Sequence, residues 1–231
     1  MCRALAAEGV AVALTYRRSE ATAKELSASM PGSAAIHAEL TDFKSARGAV
    51  ETAVEKLGGI DALVQCAGVS GKPAHYETLQ RKEPSLFDID EAEFDEMLDL
   101  TVKGTFAAVQ AAAKHMTAAG GGSIVLIGSM VGVKSLPALS HYAAGKGALR
   151  AMTMTWSKEL GRRGILVNLI APGILDGGIA KALPKQHLDE YLKHCARKRL
   201  GKPEDVAQLA AWLVTQNTYV TGQTLLLDGG L

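Results

Sequence analysis

Short runs of apolar and β-branched residues alternate along this chain with longer segments of helical period, and this alternation constrains the fold more than any other feature. It predicts strands at residues 10–15, 34–40, 60–65, 123–127, 165–170 and 224–227, and helices at residues 21–29, 44–57, 91–119, 142–161 and 204–214. Several of these strands are apolar throughout, which is typical of strands covered on both faces. The pattern therefore predicts an α/β fold in which helices cover both faces of a parallel sheet.

The charge balance and the cysteines limit the classes of function. The 231 residues include 25 basic and 24 acidic side chains, so charge gives no reason to expect nucleic acid or a membrane surface as partner. Cys2, Cys66 and Cys195 have neither zinc-ligand spacing nor the pattern of a disulfide framework, which favours a reducing cytoplasm and no metal. No apolar run approaches the roughly 20 residues that span a bilayer, and Arg3 and Glu8 interrupt any apolar signal core.

Two loops are candidate lids. Residues 69–90 are long and polar, and residues 173–185 contain Gly177 and Gly178. In doubly wound sheets, ligands bind beyond the carboxyl ends of the strands, where both loops are predicted to begin. Ordinary surface variation is the alternative.

Ser129, Tyr142 and Lys146 are the candidate catalytic residues. Ser129 follows a predicted strand, and a spacing of four places Tyr142 and Lys146 on one face of a helix. An ammonium beside a phenol favours the phenolate and so lowers a phenol pKa that starts near 10. The tyrosine would then exchange a proton with a substrate carbonyl or alcohol, while Ser129 orients the oxygen. Taken alone, the Tyr–Lys pair is equally compatible with a core-edge tyrosine beside a solvated lysine.

Seven segments carry a resemblance to a known family. The chain resembles the short-chain dehydrogenases/reductases, most closely their 3-oxoacyl-(acyl carrier protein) reductases, over essentially its whole length. The matching segments are residues 61–68 (DALVQCAG), 122–129 (GSIVLIGS), 141–146 (HYAAGK), 167–173 (VNLIAPG), 201–205 (GKPED), 219–223 (YVTGQ) and 227–230 (LDGG).

The resemblance implies a single Rossmann-like domain over residues 1–231, with a doubly wound parallel sheet in three α/β/α layers. It implies that Thr101, at the place of the family's helical asparagine, joins Ser129, Tyr142 and Lys146 as a catalytic residue. Lys146 would also hold the nicotinamide ribose. The implied cofactor-binding residues are Arg17, Arg18, Glu39, Leu40, Ala67, Gly68, Tyr142, Lys146, Pro172, Gly173 and Ile174, of which Glu39 and Leu40 line the adenine site.

The end of the first predicted strand bears on the choice of cofactor. An acidic residue after the second strand of a Rossmann sheet accepts hydrogen bonds from the ribose of NAD, whereas arginine there accommodates a 2′-phosphate. This chain has Tyr16 near that position, followed by Arg17 and Arg18. The planar fork of arginine suits phosphate, so NADP is predicted, with NAD as the alternative.

The N-terminal residues depart from the family pattern. Residues 1–9 (MCRALAAEG) resemble the helix that in the family follows a first strand and a glycine-rich turn, so that strand and turn are expected to be missing from the chain as given. Loss of a central strand would leave unpaired amides, at about 1–3 kcal/mol each. Two explanations stay open: a start at an internal methionine of a longer enzyme, or a short form with impaired cofactor binding.

The function predicted is an NADP-dependent reduction of a carbonyl, of a 3-oxoacyl thioester or a similar small molecule, with Tyr142 as the proton donor. An alcohol, sugar or steroid dehydrogenase of the same family is the first alternative, and a catalytically silent subunit is the second. An enoyl reductase is disfavoured because relatives of that type space the tyrosine and lysine more widely. The resemblance also implies a homotetramer or dimer formed through the helices predicted at residues 91–119 and 142–161.

Overall fold

Strands and helices alternate in the order that the sequence predicts. The computed structural model describes residues 1–68, 85–134, 138–181 and 183–231. The strands within these ranges are β1 (Ala13–Tyr16), β2 (Ala34–His37), β3 (Ala62–Gln65), β4 (Gly122–Ile127), β5 (Ile165–Pro172) and β6 (Thr224–Leu227). The α-helices are α1 (Cys2–Ala7), α2 (Glu20–Ala28), α3 (Phe43–Leu57), α4 (Glu91–Leu98), α5 (Thr105–Ala119), α6 (Ser140–Gly161), α7 (Lys185–His194) and α8 (Pro203–Thr215).

The strands form two parallel sheets. β1 pairs with β2, and the other four strands follow the order β3-β4-β5-β6. In the larger sheet Gln65 lies beside Leu126, Ile127 beside Ile170 and Pro172 beside Leu227. The parallel α/β architecture that the sequence predicts is thereby confirmed.

Successive side chains of β4 enter different clusters because they point to opposite faces of the sheet. Ile124 and Leu126 pack with helices α3, α5 and α6, whereas Val125 packs with α8. All three side chains are fully buried. Helices therefore cover both faces of the sheet, which explains the continuously apolar sequence of this strand.

Side-chain packing joins the two sheets. No hydrogen-bonded ladder connects β1 to β3 within the described ranges. Instead, Leu5 of α1, Val12 and Ala211 of α8 form a buried cluster, against which Leu14 of β1 and Val64 of β3 pack. The sheet is thus interrupted at the position where the sequence predicts a missing strand.

Several predicted boundaries are wrong, for local reasons. The strand predicted at residues 10–15 begins later, because the Val12 N–H donates to the Ser33 hydroxyl (3.0 Å). The strand predicted at residues 34–40 ends at His37, and the Glu39 N–H donates to Ser45 Oγ (2.9 Å) in the first turn of α3.

The helix predicted at residues 91–119 is divided into three parts. Residues Asp99–Gly104 form a π-helix between α4 and α5. A Cβ at Gly104 would overlap the carbonyl oxygen of Leu40, so only glycine lets this segment approach the end of β2 so closely. Single π turns within helices often lie at functional sites.

The two predicted lids are only partly described. Of the loop at residues 69–90, residues 69–84 lie outside the described ranges, and Ser85–Phe87 form a 3₁₀ turn. The loop at residues 173–185 contains a 3₁₀ turn at Gly178–Lys181, and α7 begins at its end. Among the described residues, no helix combines the length and apolarity needed to cross a membrane.

Candidate active site

The predicted site residues lie where the parallel strands end. Ala67 and Gly68 follow β3, Ser129 follows β4, and Gly173 follows β5. Because these strands are parallel neighbours, their carboxyl ends meet at one edge of the sheet. This is the edge at which doubly wound sheets bind their ligands.

Lys146 connects three parts of this edge. Its side chain is buried, and its Nζ donates a hydrogen bond of 2.9 Å to the carbonyl oxygen of Ile127, the last residue of β4. The same Nζ lies 5.8 Å from the centre of the Tyr142 ring, one helical turn earlier on α6. A Cβ built on Gly68 would lie 3.5 Å from it. The structure therefore brings Lys146, Tyr142 and the end of β3 together, as the sequence predicts.

Burial changes the acidity of this lysine. Loss of hydration disfavours its charged form and lowers the pKa of Lys146 from 10.5 to about 8. The negative charge of an ionised Cys66 acts in the opposite direction. Burial likewise raises the pKa of the Cys66 thiol, although the Lys146 ammonium opposes that shift.

Ser129 has an extended backbone and begins a tight turn. Its Oγ accepts a hydrogen bond of 3.2 Å from the N–H of Val131, within the 3₁₀ turn Met130–Gly132. A Cβ at Gly132 would lie 2.7 Å from the carbonyl carbon of Lys146, so the missing side chain lets the turn pack directly on α6. The serine is thereby held by the same helix that carries the tyrosine and the lysine.

Thr101 lies in the π-helix and is almost fully buried. Its hydroxyl donates to Sδ of Met97 at 3.6 Å. Its methyl group faces α6, since a Cβ at Gly145 would lie 3.3 Å from it. The side chain thus packs beside the residue that precedes Lys146, and its catalytic role stays a prediction.

The ends of β1 and β2 carry an ion pair. Nε of Arg17 lies 2.6 Å from Oε2 of Glu39, and Nη1 lies 3.8 Å from Oε1 of Glu96. Glu39 also accepts from the hydroxyl (2.8 Å) and the N–H (3.3 Å) of Thr41. The Thr41 hydroxyl contributes most to lowering the pKa of Glu39, and Arg17 adds to it. Arg18 is exposed beside this pair.

The carboxylate of Glu39 is therefore already engaged by Arg17 and Thr41, which the sequence does not indicate. Its predicted place in the adenine site, together with Leu40, remains a prediction. Leu40 is half-buried, and its carbonyl lies against Gly104.

The segment after β5 is fixed by backbone hydrogen bonds. The N–H of Gly173 donates to the carbonyl of Leu227 (3.0 Å), and Ile174 accepts from the N–H of Gly201 (3.0 Å). Ile174 also packs with Met130, next to Ser129. Ile174 thus packs against the neighbour of the serine, and the role of Pro172, Gly173 and Ile174 at a nicotinamide stays a prediction.

Three residues near the site were missed by the sequence reasoning. Tyr191 of α7 donates from its hydroxyl to the carbonyl of Asp228 (2.9 Å), and Nζ of Lys134 lies 2.6 Å from Oδ2 of Asp228. Together they tie α7 and the turn after Ser129 to the residues that follow β6. The motif at residues 227–230 contains Asp228, but the sequence does not show that Tyr191 and Lys134 contact it.

Among the described residues, no cluster of three or more His, Cys, Asp or Glu side chains is arranged to hold a metal ion. The sheet edge brings together three groups suited to acid–base chemistry: the phenol of Tyr142, the buried amine of Lys146 and the hydroxyl of Ser129. Such a set can move a proton to or from a carbonyl oxygen.

Comparisons with known proteins identify the family of the chain. A family model described as enoyl-(acyl carrier protein) reductase matches residues 1–231. The chain is 35% identical to the 3-oxoacyl-(acyl carrier protein) reductase FabG of Thermotoga maritima, over 83% of this chain and 74% of that protein. The chain belongs to the short-chain dehydrogenase/reductase family, whose members are enzymes that act on alcohol and carbonyl groups and use NAD or NADP.

Two solved structures show the range within the family. A gluconate 5-dehydrogenase from Burkholderia cenocepacia J2315, in complex with NADP and tartrate, superposes with a TM-score of 0.88 at 27% identity, over 99% of this chain and 88% of that one. A 7α-hydroxysteroid dehydrogenase complexed with NADH and 7-oxo glycochenodeoxycholic acid superposes with a TM-score of 0.84 at 27% identity, over 95% of this chain and 84% of that one.

Proposed function

We propose that this chain is an NADP-dependent reductase that converts the carbonyl of a 3-oxoacyl thioester, or of a similar small molecule, to an alcohol. One observation carries the proposal. The buried ammonium of Lys146 is fixed 5.8 Å from the Tyr142 ring by its hydrogen bond to Ile127, at the edge of the sheet where Ser129 also lies. The similarity to FabG favours the thioester over other carbonyl compounds.

Each residue has a distinct task. The phenol of Tyr142 donates its proton to the carbonyl oxygen as that oxygen gains negative charge. Because Ser129 Oγ already accepts the Val131 N–H, its own proton is available for the same oxygen. Lys146 holds a positive charge beside the phenol, and its hydrogen bond to Ile127 fixes the position of that charge.

The residues present fit a nicotinamide dinucleotide, which supplies the hydride when it is bound. Lys146 offers N–H donors to ribose hydroxyls beside Gly68. Arg17 and Arg18, exposed at the end of β1, offer guanidinium groups to a 2′-phosphate. The gluconate dehydrogenase, solved with NADP, supports this choice of cofactor, whereas the hydroxysteroid dehydrogenase, solved with NADH, keeps NAD as the alternative.

Replacing the tyrosine tests the mechanism. Tyr142→Phe is expected to lower kcat for acetoacetyl-coenzyme A, a 3-oxoacyl thioester, by about 10²–10⁴-fold, which is the usual contribution of a general acid. Tyr219→Phe, at a side chain that is 91% exposed, is the matched control. Circular dichroism should be the same in both variants. Turnover by Tyr142→Phe at the wild-type rate would eliminate the mechanism.

Replacing the arginines one at a time tests the cofactor. Arg17→Ala and Arg18→Ala are each expected to weaken NADPH binding more than NADH binding, as measured by fluorescence titration. Arg150→Ala, at an exposed position of α6, should change neither. Equal losses for the two cofactors would contradict the assignment of NADP.

The second candidate function is oxidation of an alcohol, sugar or steroid by the same residues in reverse. The similarity to a gluconate dehydrogenase and to a hydroxysteroid dehydrogenase supports this second function. Turnover of acetoacetyl-coenzyme A should be compared with that of gluconate and of a 7-hydroxysteroid at equal enzyme concentration. A preference of tenfold or more for either alcohol would replace the thioester proposal. No turnover of any of them by a chain that binds cofactor would favour the silent subunit.

A homo-oligomer formed through α5 and α6 is part of the proposal. An apolar groove between these helices is lined by Phe106, Val109, Trp156 and Leu160. The Phe106 ring lies 5.9 Å from that of Trp156 and is 41% exposed. Covering this groove with a second copy would remove the exposed Phe106 ring from water. Light scattering tests it, and a monomer at micromolar concentration would contradict it.

The cytoplasm is the proposed location. Cys2, Cys66 and Cys195 are all free thiols in the structure. Free thiols persist in a reducing compartment. Fractionation of cells expressing the natural gene tests this, and recovery in an oxidising compartment would contradict it.

A further inference from the structure

A buried His–Glu pair lies next to the proposed proton donor. His141 directly precedes Tyr142 in the first turn of α6, and Glu93 lies in the first turn of α4. Nε2 of His141 is 3.4 Å from Oε1 of Glu93. The exposed fractions are 1% for His141 and 7% for Glu93, so the two ionisable groups meet almost entirely out of water.

Stability alone does not account for such a pair. Removing two ionisable side chains from water is unfavourable, and their mutual attraction often only offsets that cost. Well-packed apolar residues of similar volume are frequently as stable or more so. What an apolar pair lacks is a directional contact, because a buried polar contact is favourable only over a narrow range of distances and angles and so specifies one arrangement of the two helices.

Glu93 is itself held in place. Its backbone N–H donates to the Asp90 carboxylate (2.8 Å), which caps the first turn of α4. Helix α6 begins after Leu139, whose side chain makes no cap hydrogen bond. The contact from α4 therefore reaches α6 in a first turn whose N-cap residue supplies no side-chain cap.

The geometry of α6 transmits this link to the phenol. Consecutive helical residues point about 100° apart. His141 thus faces α4 while Tyr142, which is only half-buried, faces another side. A rotation of the first turn that loosens His141 must swing the phenol by the same angle relative to Lys146, which lies one turn further along and is anchored to β4.

We propose that Glu93 and His141 are positioning residues that hold the Tyr142 phenol in line with the substrate carbonyl. The proposal rests on the proposed function only in taking Tyr142 as the proton donor. Misplacement of a reacting group by about 1 Å lowers rates on the order of 10²-fold. Loss of the pair should therefore lower kcat and leave KM and cofactor affinity nearly unchanged.

The decisive variant replaces both residues by apolar ones of similar volume, Glu93→Met/His141→Leu. We expect its kcat for acetoacetyl-coenzyme A to fall by about 10–100-fold, with KM and the NADPH Kd within about twofold and a Tm that is not lowered. His141→Gln keeps an N–H donor near the position of the histidine Nε2 and should retain kcat within about fivefold. The matched control is Glu51→Gln, which removes an exposed pair between α3 and α5 in which Glu51 Oε2 and His115 Nε2 are 2.7 Å apart.

A readout that needs no turnover separates this proposal from the proposed function. With 3-fluorotyrosine at all five tyrosines, the fluorine resonance of Tyr142 is identified by its absence in Tyr142→Phe. It should shift or broaden in the double apolar variant and stay unchanged in Glu51→Gln. An unchanged Tyr142 resonance, or a double variant with wild-type kcat, overturns the positioning role. A wild-type chain that reduces no thioester overturns the proposed function alone, because the spectrum still decides the positioning role.

Discussion

The buried amine of Lys146 should make the stability of the cofactor-free protein depend on pH in an unusual direction. Burial lowers the pKa of Lys146 from 10.5 to about 8. Between these values the unfolded chain binds a proton that the folded chain does not, so unfolding is favoured as the pH falls. The full penalty is present below about pH 8, and it disappears as the pH rises to 10.5.

The size of the effect follows from the two pKa values. At about 1.4 kcal/mol for each pH unit, a change from 10.5 to about 8 corresponds to about 3 kcal/mol of unfolding free energy. About 2 kcal/mol of this falls between pH 7.5 and pH 10. Lys146→Met removes the ionisable group, so the stability of the wild type relative to this variant should rise by that amount over the range.

Urea unfolding followed by circular dichroism at several pH values measures this difference. Both proteins should carry Cys66→Ala, because an ionised Cys66 raises the pKa of Lys146 and would reduce the expected change of stability with pH. Lys158→Met controls for the loss of an exposed charge from the same helix. A difference between wild type and Lys146→Met that is constant within about 0.5 kcal/mol, or that falls with pH, would refute the reasoning.

Four further substitutions test other parts of the structure. Glu39→Gln should tighten NADPH binding by up to about fivefold and change NADH binding little. In the wild type, Arg17 must give up its exposed ion pair with Glu39, worth up to about 1 kcal/mol, to bind the 2′-phosphate, and the variant removes this cost. Fluorescence titration measures both affinities, and a selective loss of NADH binding would instead assign Glu39 to the ribose. Gly132→Ala should lower the unfolding free energy by about 1–3 kcal/mol, since its Cβ would overlap the backbone of α6. Gly147→Ala, which meets nothing within 4 Å, should raise that free energy by up to about 1 kcal/mol in the same urea titration, and equal effects would argue against the close contact. Leu126→Ala, at a fully buried position of β4, should lower the free energy of unfolding in urea by about 2–5 kcal/mol. A loss below about 1 kcal/mol would show that neighbouring side chains move in to fill the cavity.

The sequence was sufficient to place residues at the functional edge of the sheet, but it did not define their contacts. Ser129 and Gly68 each follow a predicted strand, and parallel strands end at a common edge whatever their register. The hydrogen bond from Lys146 to the Ile127 carbonyl depends on side-chain rotamers and on the packing of α6, neither of which leaves a pattern in the sequence. The Arg17–Glu39 pair likewise depends on the register of β1 with β2, where Tyr16 lies opposite His37.

The errors in the helices have physical causes. A π segment keeps the chain helical and shifts its register by only one residue, which is too small a change for the apolar pattern to reveal between α4 and α5. Helix α7 was missed because its side chains are mostly polar and exposed, and Tyr191 is its one buried residue. The buried His141–Glu93 contact joins residues 48 positions apart, and such long-range pairing of polar groups is not readable from one sequence.

The interruption between β1 and β3 has a consequence for how the molecule opens. Within the described ranges no backbone ladder crosses this boundary, so the unit that contains β1 and β2 is held to the rest by the cluster around Leu5 and Val12. Side-chain contacts of this kind allow a subglobal opening below the free energy of global unfolding. Amide protons of β1 and β2 should exchange with solvent sooner than those of β4 and β5. Arg17 and Arg18 belong to this unit. A dinucleotide bound by these arginines and by Lys146 would link the unit to the larger sheet and slow the amide exchange of β1 and β2.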